Sequence, residues 1–121
     1  MIHNSFIGTG ELIDKITILK IKCSVINNEN NINQLESLLT IYNQMPENLR
    51  IKIIEFEEEL FYINKVIWKY ENIVRSKVND EEILKAAKSI FEYNDKRNKL
   101  KKLIDEETIS GFFDEKMHEI N

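Results

Sequence analysis

The chain has 121 residues and a formal net charge of −4, with 42% hydrophobic residues, 3 glycines, 1 proline and 1 cysteine. That is enough chain for one domain with a buried core, and too few turn residues for a β-sandwich or barrel. A lone cysteine excludes a disulfide framework and a cysteine-based zinc site, and 17 basic residues interleaved with 21 acidic ones form no platform for nucleic acid.

Ile (20), Lys (14) and Asn (14) are abundant while Arg occurs only 3 times, a skew that looks like AT-rich coding and weakens any argument from lysine or asparagine content. No apolar run reaches the roughly 18 residues of a membrane span. Met1 to Phe6 lacks the basic stretch, apolar core and cleavage site of a signal peptide, so the expected location is the cytoplasm, which suits an unpaired Cys23.

The first helix is predicted from about Gly10 to Ile26, with Thr9 as N-cap and Glu11 in the first turn. Leu12, Ile16, Leu19, Cys23 and Ile26 form one apolar stripe; Ile18, Ile21 and Val25 form a second. A helix apolar on two sides belongs at the centre of a bundle. The asparagine-rich stretch Asn27 to Asn31 breaks the pattern. The second helix follows from about Ile32 to Gln44, with Ile32, Leu35, Leu38, Leu39 and Tyr42 inward, and Pro46 ends it. Helices joined by so short a loop form an antiparallel hairpin.

The third helix is predicted from about Leu49 to Val78, with a core stripe of Phe56, Leu60, Ile63, Ile67, Tyr70 and Val74. Asn79-Asp80 interrupts it, and Asp80 is expected to cap a fourth helix running to about Ile104. Its inward residues are Ile83, Ala86, Ala87, Ile90, Tyr93, Leu100 and Ile104. The tail after Thr108, with Gly111, Phe112 and Phe113, is expected to pack as a short extra turn. The expected architecture is therefore all-α: one domain over residues 1–121, a helical bundle of two antiparallel helical hairpins with a short C-terminal extension. The long third helix outruns so small a bundle, so a homodimer is expected to cover its apolar end.

Polar residues invade the faces that should be apolar. Glu11 and Asp14 share a face with Ile18, Ile21 and Val25, and Lys15 adjoins them. Asn64, Trp68, Glu71 and Arg75 follow one stripe of the third helix; Asn94, Arg97 and Lys101 follow one stripe of the fourth. Charges drawn into a bundle need partners, since desolvating an unpaired one costs several kcal/mol. One reading is an interhelical ion-pair network that fixes register. The other is a polar pocket for an anionic small molecule, with Arg75, Arg97 and Lys101 holding the anion and Trp68 or Tyr93 stacking on a ring.

The block Gly10-Glu11-Leu12-Ile13-Asp14-Lys15-Ile16-Thr17-Ile18-Leu19, continuing to Lys22, resembles a family of small bacterial and phage proteins of unknown function. Its bacterial members often accompany surface-polysaccharide and sugar-transfer genes. The resemblance extends to Asn64, Trp68, Glu71 and Arg75, and to Asn94, Asp95, Arg97, Leu100, Lys101 and Ile104, spanning roughly residues 8 to 105. The family's usual Glu after the Thr-Ile-Leu stretch is Lys20 here, on an exposed face. The resemblance implies a fold and a residue set, with no reaction attached.

Enzyme readings fare less well. All-helical magnesium-dependent nucleotide pyrophosphatases use Glu-x-x-Asp pairs, of which Glu11/Asp14 and Glu92/Asp95 are examples, but the run Glu55, Glu57, Glu58, Glu59 does not match their further spacing. The first helix also looks like the opening of helical chorismate mutases, yet no arginine precedes Arg50 to hold a dicarboxylate. Cys23 on an apolar stripe reads as inert core, and His3 and His118 as solvent residues. The expectation is a non-catalytic binding or regulatory protein, with no catalytic residue, metal or cofactor. Its ligand-binding residues are Glu11, Asp14, Lys15, Asn64, Trp68, Glu71, Arg75, Asn94, Arg97 and Lys101. In a phage it would sequester a host metabolite.

Overall fold

The structure, a computed structural model, describes residues 8–26, 28–76 and 79–120, with the backbone alone from 110 onward. Four helices follow one another: α1 (Thr9–Val25), α2 (Glu29–Asn43), α3 (Glu47–Ser76) and α4 (Asp80–Ile120). No strand occurs among the described residues, and the all-α bundle expected from the sequence is present.

α1 is the central element and packs against each of the other three. Its buried residues, Gly10, Leu12, Ile13, Asp14, Ile16, Thr17, Leu19 and Ile21, run almost all the way round the helix. α3 and α4 pair along their lengths as an antiparallel hairpin, with Lys52 near Glu107 at one end and Tyr70 near Tyr93 further along. α1 runs antiparallel to α4, with Gly10 beside Asp105 and Asp14 beside Arg97. α2 folds back on α1, residues 15–22 facing 34–38, and it buries no residue of its own.

The core is a cluster of Ile13, Ile53, Leu60, Ile63, Ile67, Leu100 and Ile104, flanked by Tyr42, Met45, Leu49, Phe56 and Tyr93. Ile13 and Ile53 were on none of the expected stripes. Conversely, Val25, Ile26 and Ala87, expected inward, are exposed, because α1 ends at Val25 and Ala87 lies on the outer face of α4. Cys23 is half-buried.

The helix ends also differ from the expected ones. α2 starts at Glu29, inside the asparagine-rich stretch, because Asn28 Oδ1 accepts from the backbone N–H groups of Asn30 and Asn31 at 2.8 and 3.3 Å. α3 starts at Glu47 rather than Leu49, the Pro46 carbonyl accepting its first bonds. Asn79, not Asp80, caps α4, its Oδ1 accepting from Glu82 N–H at 2.9 Å. α4 does not stop at Ile104: its backbone stays helical to Ile120. A single glycine costs a helix only about 1 kcal/mol, and no proline follows to end it. How Phe112, Phe113 and His118 pack, like His3 and Val78, lies outside the described residues.

Between α2 and α3, Tyr42 Oη donates to Glu57 Oε2 at 2.9 Å. Burial, then this bond and the charge it meets, pushes the phenol up to about 12, so the hydroxyl stays a donor. Burial also pushes the Glu57 carboxyl up.

Thr9 is not the cap of α1. Gly8 is the N-cap, with extended backbone and no side chain to offer. Asp105 of α4 supplies the missing acceptor instead, taking Gly10 N–H on Oδ1 at 2.7 Å. The two helices approach so closely here that a Cβ on Gly10 would lie 2.3 Å from the Lys101 carbonyl oxygen. Backbone cannot yield as a flexible side chain does. Gly10→Ala is therefore expected to lower stability by about 1–3 kcal/mol in urea denaturation, by overpacking the crossing; an unchanged midpoint would show that the helices separate without cost.

Candidate functional site

Asp14 is the centre of the polar cluster. Its side chain is 1% exposed, on the face of α1 turned toward α3 and α4. Oδ1 accepts from Asn64 Nδ2 of α3 at 2.9 Å and from Arg97 Nε of α4 at 2.8 Å. Oδ2 accepts from Arg97 Nη2 at 2.6 Å, with Lys101 Nζ at 3.8 Å. The carboxylate thus meets the side-on edge of the guanidinium in a two-point pair.

Asn64 spends its second amide hydrogen on Thr17 Oγ1 at 2.8 Å, and that hydroxyl donates to the Asp14 carbonyl at 2.8 Å. Asn94 Oδ1 accepts from Arg97 Nη1 at 3.2 Å. Lys101 Nζ pairs with Glu11 Oε2 at 2.7 Å. The bond to Asp14 raises the Arg97 pKa further; burial opposes this, and the charges of Asp14, Glu11 and Glu71 add to the rise. Arg97 is accordingly a fixed cation, 26% exposed, with two of its five N–H groups left after Asp14 and Asn94 are served.

On the solvent side of this network lies a cleft of about 270 Å3 between α1, α3 and α4. Asn64, Trp68, Glu71, Arg75 and Arg97 line it, together with Lys22 and apolar residues of α1 and α3. Arg75 is exposed, lies over the Trp68 ring at 5.9 Å and donates to Asn72 Oδ1 at 2.9 Å.

Nine of the ten residues singled out in the sequence therefore fall into two adjoining groups. Glu11, Asp14, Asn64, Asn94, Arg97 and Lys101 share the network; Trp68, Glu71 and Arg75 join Asn64 and Arg97 in the cleft. Lys15 is in neither: it is exposed and faces α2. Tyr93 packs beside Tyr70 and lines no part of this cleft.

Three residues were missed. Thr17 lies one turn after Asp14 on the same face, Asp105 one turn after Lys101, and Lys22 one turn after Ile18. Each spacing was legible, but threonine and lysine are common on solvated faces.

Of the four carboxylates in the two Glu-x-x-Asp pairs, three are held by cations: Glu11 by Lys101, Asp14 by Arg97, and Asp95 by Lys99 at 3.2 Å. Among the described residues no group of three or more His, Cys, Asp or Glu side chains is arranged to hold a metal ion. Nor is any described helix long and apolar enough to cross a membrane.

Residues 4–121 match a family described as Family of unknown function (DUF6165), and the chain belongs to that family. No curated protein and no solved structure matches the chain.

The Asp14–Arg97 pair makes a quantitative prediction. Removing either partner leaves the other as an uncompensated, poorly hydrated charge. Asp14→Ala and Arg97→Ala are each expected to lose about 3–5 kcal/mol in denaturant titration, while the double variant loses far less than their sum. Additive losses would show that the two side chains do not act as a pair.

Proposed function

We propose that this member of the DUF6165 family is a non-catalytic binding or regulatory protein. Its ligand is an anionic small molecule, a phosphorylated sugar or nucleotide-like metabolite, held in the cleft between α1, α3 and α4. The observation that carries the reading is the lining: Lys22, Arg75 and Arg97 beside Trp68 and Asn64, against one carboxylate, Glu71. Ligand pockets commonly occupy roughly 300–1,000 Å3. At about 270 Å3 this cleft falls just below that range, which limits it to a ligand the size of a single sugar phosphate or the phosphate end of a nucleotide.

The cations divide the work by their surroundings. Arg97 is already neutralised by Asp14, so it gives the cleft its shape more than net charge. Among the described residues Arg75 and Lys22 meet no carboxylate in an ion pair, and they supply the attraction. Glu71 offers an acceptor for a sugar or ribose hydroxyl. Glu11, Asp14, Asn94 and Lys101 act one layer back, holding Arg97 and the α1–α4 register. A bacterial protein of this kind would serve sugar-nucleotide or polysaccharide metabolism in the cytoplasm; a phage one would sequester a host metabolite.

A second reading, a structural or protein-interaction module, is favoured by one observation: Asp14, Thr17, Asn64 and Arg97 satisfy one another without any ligand. Thermal unfolding with fructose 6-phosphate, adenosine monophosphate and inorganic phosphate separates the two. Binding raises Tm by roughly 10 °C at a hundredfold excess over Kd, and the exposed Arg75→Ala removes most of the rise without unfolding the protein. No rise with any of the three, or a rise indifferent to Arg75→Ala, leaves the structural reading standing.

The reading includes a homodimer. On α4, Leu84 and Phe91 are 71% and 78% exposed, and the exposed Ala87 lies between them on the same stripe. A second copy covers such a stripe symmetrically. Light scattering on the purified chain is expected to give twice the monomer mass, and Phe91→Glu to return it to 14.4 kDa; a monomer at micromolar concentration contradicts it.

A further inference from the structure

Two clefts meet on α1. Besides the one between α1, α3 and α4, a cleft of about 440 Å3 opens between α1 and α2. Ile18 and Lys22 line both, so they form a saddle between them. The second cleft also contains Lys15, two helical turns before Lys22 and on the same face of α1, about 10 Å away along the axis. It is lined by no carboxylate; its polar residues besides the lysines are Gln34 and Ser37. Neither Lys15 nor Lys22 makes an ion pair among the described residues, although the chain as a whole carries a net charge of −4. Along the track of Lys15, Lys22 and Arg75, Glu71 is the one carboxylate that lines either cleft.

We propose that the ligand carries two anionic groups separated by a neutral polar body, and that it spans both clefts. One anion sits between Lys22 and Arg75, the other at Lys15, and the body crosses Ile18 within reach of Gln34 and Ser37. This rests on the binding reading above and extends it from one cleft to two. Adjoining phosphoryl groups, as in pyrophosphate, are too close together to reach both ends of the track. Lys15, which stands apart from the Asp14 network, is the specificity determinant of the second cleft.

The test is calorimetric titration of the full chain with fructose 1,6-bisphosphate, fructose 6-phosphate and pyrophosphate. The bisphosphate is expected to bind about tenfold more tightly than either of the others. Lys15→Gln, at an exposed position, removes most of that advantage, weakening the bisphosphate about fivefold and changing the monophosphate by less than about twofold. Arg75→Gln weakens both sugar phosphates. Lys99→Gln, outside both clefts, serves as the charge control, and the melting temperature of each variant confirms that it folds. Equal binding of mono- and bisphosphate, with Lys15→Gln silent and Arg75→Gln effective, overturns the two-cleft ligand while the one-cleft reading stands. Equal losses from Lys15→Gln and Lys99→Gln also overturn it, since general charge then explains the affinity. No binding of any of the three probes overturns both readings.

Discussion

Asp14 is a carboxylate that the fold takes out of water, and most of the architecture can be understood as the answer to that cost. Removing a carboxylate from water costs several kcal/mol unless a partner and additional hydrogen bonds come with it. The partners come from far along the chain: Asn64 is 50 residues away and Arg97 is 83. One side chain of 1% exposure therefore ties α1 to both members of the α3–α4 hairpin. Such a pair adds little net stability over a well-packed apolar substitute. What it does add is a penalty on every arrangement that separates its members. An amphipathic bundle needs that penalty, because isoleucine stripes tolerate sliding by a turn far better than a fixed guanidinium–carboxylate pair does.

The α1–α4 contact repeats the same logic along one stripe. Arg97, Lys101 and Asp105 are spaced by four, and they meet Asp14, Glu11 and the backbone of Gly10 in turn. Two cations face two carboxylates. The carboxylate of Asp105 then faces the N-terminus of α1, where the unbonded N–H groups and the helix dipole favour a negative charge. The stripe is complementary at each step, and a one-turn slip in either direction would set one pair of like charges together and leave one group of the stripe without its partner. Gly10 allows it, since no side chain fits between α1 and the Lys101 carbonyl.

How much of this was legible follows from what each residue answers to. The helices themselves answer to local pattern, and scarce glycine and proline with apolar spacing were enough to place four of them. The polar cluster was legible because carboxylates and arginines on apolar stripes are conspicuous. Ile13 was not: a helix packed on three sides buries residues between its stripes, and no single period marks them. The ends of the helices were missed where a cap is tertiary, as with Asp105 over Gly10, or where adjacent asparagines compete, as at Asn28 and Asn79. α4 ran past its expected end because a single glycine costs less than the helix gains by continuing. Lys15 was grouped with Asp14 by adjacency, yet adjacent residues on a helix point about 100° apart, which carries it toward α2.

The same accounting separates what the network does from what the clefts can do. Inside, every carboxylate of the Asp14 group is matched, so the cations there have little left to offer a ligand. Outside, Lys22, Arg75 and Lys15 make no ion pair among the described residues, and α2, which buries no residue of its own, forms one wall over part of that track. Glu71 sharpens the point. A single acceptor set among cations weakens a bare anion, yet it favours an anion that also carries hydroxyl donors. On the proposed reading, the face favours a polyhydroxylated phosphate over inorganic phosphate, and it does so with residues outside the Asp14 network.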